Sequence, residues 1–366
     1  MTDTDAVVIG AGPVGLFQVF QLGLLGLRAH VIDVLPEPGG QCVALYPDKP
    51  IYDVPGVPRC TGRELTRLLL TQAQPFLPAL APASTDARGP GASGSSPYAN
   101  VHLGQQVAGL ARAEDGRWLV TSSRGLQWRA RAVFVAAGAG AFVPRSLNLP
   151  GLQDAGNVHF HVPEAGALPW AGQHVVVAGG GDEALASVVS LANETDPARR
   201  PARLTLLHRR EVFQAEPELD AAVRALIAEG RVALCVGMPT EAQVAKATVE
   251  SLAILSPDET HHPLPLDHLL VRQGMSPKLG PLTDWGMALE RKQIVVDTGT
   301  FETSLPQVYA VGDINTYPGK KRLLLCGFHE ATMAAHAAAA ALNPGSPQHL
   351  LYTTTSPLLR ERLGVA

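Results

Sequence analysis

Short apolar runs that stop at glycine punctuate this chain. "DAVVIG" (residues 5–10) is β-branched and nearly continuous in apolar character, the pattern of a strand buried on both faces. "PVGLFQVFQLGLLGL" (13–27) has helical length and apolar spacing, and "AHVIDV" (29–34) reads as a second strand. Together they predict a β-α-β unit at the start of the chain. "QHVVVAGGGDEALASVVSLAN" (173–193) repeats the strand, glycine turn and helix, and "ARLTLLHRR" (202–210) is its next strand. Between the two units, residues 101–138 read as strands joined by turns, with alternation in "RWLVTS" and a turn signal in "EDG". "HLLVRQGMSP" (268–277) and "LPQVYAVGDI" (305–314) are two later strands, followed by an alanine-rich helix over roughly 328–342 and a tail containing Tyr352.

The predicted class is α/β, with two Rossmann-like, three-layer dinucleotide-binding domains. One is discontinuous, residues 1–148 with 278–366; the other spans 149–277. Residues 78–97, "PALAPASTDARGPGASGSSP", cannot bury a core and are expected to be a flexible insertion.

Composition narrows the function. The 366 residues suffice for two domains, at about 150 residues each. A net charge of −4 with 17% charged residues excludes the basic signature of nucleic-acid binding. The start, "MTDTD", lacks a basic region, so no signal peptide is expected. The longest apolar run, Ala334–Leu342, is broken by His336 and falls short of the ~20 residues of a membrane span. A cytoplasmic protein without membrane contacts is the expectation. Cys42, Cys60, Cys235 and Cys326 contain no C-x-x-C pair, and no Cys/His cluster has zinc-ligand spacing. Free thiols and no metal are expected, with His159 and His161 as strand residues.

The chemistry lies in the two glycine turns. Gly10-Ala11-Gly12-Pro13-Val14-Gly15 follows a predicted strand and opens a predicted helix, so backbone amides at the helix N-terminus can receive a pyrophosphate. Asp33 ends the next strand, where an acid binds a ribose hydroxyl. Gly179-Gly180-Gly181-Asp182 repeats the arrangement, but its next strand ends in His208-Arg209-Arg210. Guanidinium groups match a 2′-phosphate in bidentate fashion, which favours NADPH over NADH. Gly179, Gly181, Asp182, Arg209 and Arg210 are the expected NADPH residues. Two such folds in one chain suit a permanently held FAD and a presented NADPH, hydride passing when the rings lie ~3–3.5 Å apart.

With these turns, "YAVGDI" (309–314) resembles the flavin motif of the low-molecular-weight thioredoxin-reductase group; on that resemblance Asp313 binds the ribityl–pyrophosphate region of FAD. Thioredoxin reductases carry C-x-x-C before the second glycine turn, yet residues 157–173 contain no cysteine. Cys42 matches the first thiol of glutathione-reductase-like enzymes, but Pro47 stands at the partner position, so Cys42 is expected to be inert. "GGQCVALYPDKPIYDVPG" (39–56) is similar instead to ferredoxin–NADP reductases of the thioredoxin-reductase-like type. So are "AGAFVPR" (139–145), "LGPLTDWG" (279–286), "GDINTYPGK" (312–320) and "GFHEA" (327–331), and the likeness covers nearly the whole chain outside 78–97.

That resemblance implies hydride transfer from NADPH to FAD and then single electrons to ferredoxin or flavodoxin, with no covalent catalytic residue. Gly10, Gly12, Pro13, Gly15 and Asp33 would hold FAD, Gln41 would hydrogen-bond the flavin and Tyr46 would stack on one of its faces. Val107 and Phe142 would line the site. In "LLYTTTSP" (350–357), Tyr352 would cover the other flavin face from the partner of a homodimer, with Thr353 and Thr354 as hydrogen-bonders. Gln214 departs from the family pattern after "HRR", where an arginine is common. "KKR" (320–322) is either an attraction for an acidic ferredoxin or a solvated charge run. The alternatives are a same-fold reductase for a quinone, a low-molecular-weight disulfide or a thioredoxin-like protein, and a flavin-based redox sensor.

Overall fold

A computed structural model describes residues 1–79, 96–160, 162, 170–345 and 350–365, except for the side chains of Phe142, Val143, Gln153 and Pro277. Most of the expected insertion, and His161, therefore lie outside the described residues. The chain forms two compact units, Met1–Ala141 with Pro277–Ala366, and Phe142–Ser276.

In the first unit, strand Thr2–Ile9 is the hub of a sheet. It pairs in parallel with Ala29–Ile32 on one side and with Gln127–Val135 on the other. Ala29–Ile32 carries Val101–His102 on its outer edge, also parallel. The nine-residue strand Gln127–Val135 serves two further neighbours. Its first half pairs antiparallel with Trp118–Ser122, and its last three residues pair in parallel with Val308–Ala310 from the C-terminal part of the chain. Val107–Arg112 closes that edge antiparallel to Trp118–Ser122. The continuous apolar run of the first strand is explained by this central place: Ala6, Val7 and Val8 are fully buried.

Helix Pro13–Leu24 starts on a proline at its first position, where the missing N–H costs nothing. Helix Gly62–Ala73 starts on a capping box: Thr61 Oγ1 accepts from the Glu64 amide at 3.2 Å, and Glu64 Oε2 accepts from the Thr61 amide at 2.7 Å. The alanine-rich helix runs Leu324–Leu342, four residues earlier than the composition suggests. Apart from Glu330, its buried positions are small, Gly327, Ala331, Ala334, Ala335, Ala338 and Ala339, which lets it approach helix Pro13–Leu24 closely. Inside this core the Phe134 and Tyr309 rings stack with centroids 5.0 Å apart.

The second unit is built on a parallel sheet in the order Val158–His159, His268–Val271, His174–Ala178, Arg203–His208, Ala233–Val236. Helices Asp182–Ala192 and Pro217–Ala228 pack against each other beside it. A three-stranded antiparallel meander, Met238–Ala245, Thr248–Leu255 and His261–Pro265, adds a feature that the apolar pattern did not announce. The expected strand 268–277 is two strands, His268–Val271 and Met275–Lys278, with Gly274 at φ 76° between them. The expected strand 305–314 is shorter too: Val308–Ala310 gives way to a 3-10 turn, Gly312–Ile314.

Candidate functional site

The first glycine turn is tied by close approach. A Cβ on Gly15 would lie 1.9 Å from the Gly10 carbonyl oxygen, so the helix packs directly on the turn. Asp33 closes it from the next strand. Its Oδ2 accepts from the Ala11 amide at 2.5 Å and its Oδ1 from the Leu35 amide at 2.8 Å. Burial pushes the Asp33 carboxyl up, and hydrogen bonds from the Leu35, Ala11 and Val34 amides offset this only in part. Asp33 is thus a latch on the turn, and each oxygen retains a lone pair for a further donor.

Four chain segments converge here. Gly39 donates its amide to the Ala11 carbonyl at 2.9 Å, and a Cβ on Gly12 would stand 3.8 Å from the Gly40 Cα. Gln41 opens the short helix Gln41–Ala44, and its Nε2 reaches toward Gly138, where a Cβ would lie 2.8 Å away. Gly138 follows the buried strand end at Val135; it was not singled out in the sequence, although a glycine after such a strand is the available signal. Val14 faces Gly312 at 3.4 Å from its Cβ position. Tyr46 is half-buried, and burial raises its hydroxyl, with the Cys42 contact adding to the shift.

Asp313 is the open group of this cluster. Burial pushes its carboxyl up, opposed by the Lys320 and Arg322 cations, and among the described residues no hydrogen-bond donor reaches its side chain. A turn held by glycines facing one another, an acid latch with spare lone pairs and a half-buried carboxyl that takes no hydrogen bond from the described residues suit a dinucleotide. Val107 begins its strand with its side chain buried in the core. Phe142 lies in strand Ala141–Pro144, its side chain outside the described set. Tyr352, Thr353 and Thr354 are exposed, and the Tyr352 carbonyl accepts from the Thr355 amide at 3.1 Å and the Ser356 amide at 2.9 Å, within the tail.

In the second unit a Cβ on Gly179 would lie 2.2 Å from the Arg272 carbonyl oxygen, so two strand ends meet at that turn. Gly180 lies under the His208 ring and receives the Gln214 amide on its carbonyl at 2.8 Å. Gln214, the departure from the family pattern, therefore braces the turn through its backbone. Asp182 Oδ1 accepts from the Glu216 amide at 2.7 Å. Arg209 and Arg210 are exposed just past the strand, and His208 is lowered by burial and by these two cations. The run 320–322 divides: Lys320 is buried in an ion pair with Glu330, while Lys321 and Arg322 are exposed. His159 Nε2 lies 3.0 Å from His268 Nδ1, and its ring meets Trp170 edge-on. Among the described residues no helix is long and apolar enough to cross a membrane.

Two units, one on a mixed and one on a parallel sheet, each with a glycine turn between a parallel strand and a helix, define a double dinucleotide-binding oxidoreductase fold. The pyridine nucleotide-disulphide oxidoreductase profile matches residues 4–341. The chain is 51% identical to a protein of Paracidovorax citrulli named ferredoxin–NADP reductase, over 100% of this chain and 97% of that one. A ferredoxin–NADP reductase of Leptothrix cholodnii is 50% identical over 99% of this chain and 92% of its own. Among solved structures, the bacillithiol disulfide reductase of Staphylococcus aureus aligns with TM-score 0.61 at 16% identity, covering 93% of this chain and 99% of its own. The thioredoxin reductase of Lactococcus lactis aligns with TM-score 0.55 at 19% identity, covering 92% and 97%. The chain belongs to the pyridine nucleotide-disulphide oxidoreductase family and, within it, to the group of ferredoxin–NADP reductases that these relatives form.

Proposed function

We propose that this chain is an FAD-dependent ferredoxin–NADP reductase, with FAD on the unit of residues 1–141 and 277–366 and NADPH on the unit of residues 142–276. The relatives' shared name over the full chain carries this reading, and the converging segments around Asp33 and Asp313 support it. Bound FAD supplies the exchange between two-electron hydride chemistry and one-electron transfer. The chain's own residues position and screen. Amides of the first glycine turn, at the start of helix Pro13–Leu24, face a pyrophosphate, and Asp33 keeps that turn in register. Gln41 offers its amide to the flavin, and Tyr46 presents a ring to one face. Val107 lines the site. Asp313 meets the ribityl region.

The Gly179–Gly181 turn and Asp182 receive the NADPH pyrophosphate end, and Arg209 and Arg210 take the 2′-phosphate. Tyr352 covers the second flavin face from a partner copy, with Thr353 and Thr354 beside it, so the working form is a homodimer. It works in the cytoplasm, with ferredoxin or flavodoxin as acceptor. The test is reduction of cytochrome c by the purified yellow protein with NADPH, with and without ferredoxin, and with NADH in parallel. Strong stimulation by ferredoxin with NADPH preferred is expected. Rapid flavin reduction without that stimulation would transfer the reading to another acceptor.

A further inference from the structure

Glu330 is fully buried on the inner face of helix Leu324–Leu342, among alanines and glycine. Its carboxylate collects four donors. Oε2 accepts from the Gly312 amide at 2.7 Å and from Asn315 Nδ2 at 2.9 Å; Oε1 accepts from the Tyr317 hydroxyl at 2.9 Å and from Lys320 Nζ. Lys320 in turn donates to the Gly312 carbonyl at 2.9 Å. Both polar ends of Gly312, the residue before Asp313, are therefore held by one buried ion pair. From the other side, Gln293 Nε2 donates to the Asp313 carbonyl at 3.1 Å and to the Asn315 carbonyl at 3.0 Å. The helix can come this close because position 327 is glycine: a Cβ there would lie 2.5 Å from Val14 Cγ2.

We propose that Glu330 and Lys320 are positioning residues, a clamp that sets the Gly312–Asp313 backbone so that the Asp313 carboxyl meets FAD. The inference rests on the FAD reading of this turn. Stability alone is a poor account of the pair. An apolar pair of similar volume commonly serves a core as well as a buried ion pair does. What an apolar pair cannot do is bond the Gly312 amide and carbonyl at once. Gly312 sits at φ 81°, in the left-handed region, and has no side chain with which to fix its own peptide. Order at Asp313 must then come from the main chain, because its carboxyl receives no hydrogen bond from the described residues.

The experiment strips FAD from the full-length chain and returns it in a flavin-fluorescence titration. The variants are Lys320→Met with Glu330→Met, and Asp313→Asn, alone and combined. The double Met variant is expected to fold and melt cooperatively, yet to bind FAD about tenfold more weakly or worse, the loss expected for one hydrogen bond to a charged group. Its bound-flavin visible spectrum is expected to shift toward that of Asp313→Asn. Adding Asp313→Asn should cost little more, because both changes act through one turn. Wild-type FAD affinity and spectrum in the folded double variant, or full additivity with Asp313→Asn, would overturn the clamp. Should the double variant not fold, Lys320→Gln carries the test: weaker FAD binding with a shifted spectrum supports the proposal, and wild-type values refute it. A wild-type chain that took up no FAD would instead remove the cofactor reading, and the clamp with it.

Discussion

The Cys42 thiol sits 3.6 Å from the Tyr46 hydroxyl, four residues along the chain. Cys42 is buried, and that burial pushes its thiol up, only partly offset by the Tyr46 contact. Cys60 is buried and pushed up as well. The thiolate is the reactive form in disulfide exchange, so both are poorly placed for thiol chemistry at neutral pH. Replacing Cys42 and Cys60 by Ala and Cys235 and Cys326 by Ser should leave ferredoxin-stimulated cytochrome c reduction near the wild-type rate. Loss of turnover in the folded variant would return a thiol to the mechanism and favour a disulfide acceptor.

Arg209 and Arg210 extend past strand Arg203–His208, exposed beside the second glycine turn. A 2′-phosphate is the one feature that separates NADPH from NADH, and guanidinium is the group that reads it. Changing both to Ala should raise KM for NADPH by about 10- to 100-fold, the scale of lost bonds to a charged group, and leave KM for NADH little changed. Steady-state kinetics with the two nucleotides decides it. An equal loss for both would mean that the arginines act on the fold and not on the phosphate.

The glycine turns were legible in the sequence because their constraint is steric: no side chain fits at Gly15 or Gly179, so the residue type itself carries the message. The parallel strands were legible because burial on both faces forces a continuous apolar run, as in residues 5–10. The clamp was not legible. Glu330 in an alanine-rich helix reads as its polar face, and Lys320 in "KKR" reads as an exposed charge; only the close packing made possible by Gly327 turns them inward. The meander of residues 238–265 also escaped, because its first strand is largely exposed and carries two register shifts that break the alternation. The tail helix Pro357–Leu363 was missed for want of length, although Ser356 caps it, accepting from the Leu359 amide at 3.4 Å.

Tyr352 is 63% exposed on a tail that is anchored elsewhere. Leu359 is buried, and Arg362 Nη1 donates to the Leu24 carbonyl at 2.5 Å, at the end of helix Pro13–Leu24. Substitution at Tyr352 should therefore leave the anchor and the fold intact. Tyr352→Ala is expected to keep its FAD and change the rate of flavin reduction by NADPH in stopped flow. A wild-type rate would remove the tail from the mechanism.

His30 Nδ1 and His102 Nε2 lie 2.9 Å apart on neighbouring strands, their rings stacked and Trp128 against both. Burial, then the neighbouring His30, pushes His102 down to about 4, while burial and the Arg28 cation lower His30. Both shifts favour the neutral ring in the folded state. The unfolded chain takes up protons near pH 6.5, where the folded one resists them, so the pair's contribution to stability is full above that pH. It should fall as pH drops from about 6.5 to about 4, at ~1.4 kcal/mol per pH unit for each proton withheld. Thermal melts across this window should show the decline, and His102→Asn should flatten it while lowering the neutral-pH plateau only modestly. An unflattened slope in that variant would place the acid sensitivity in other groups and leave the histidine pair as packing alone.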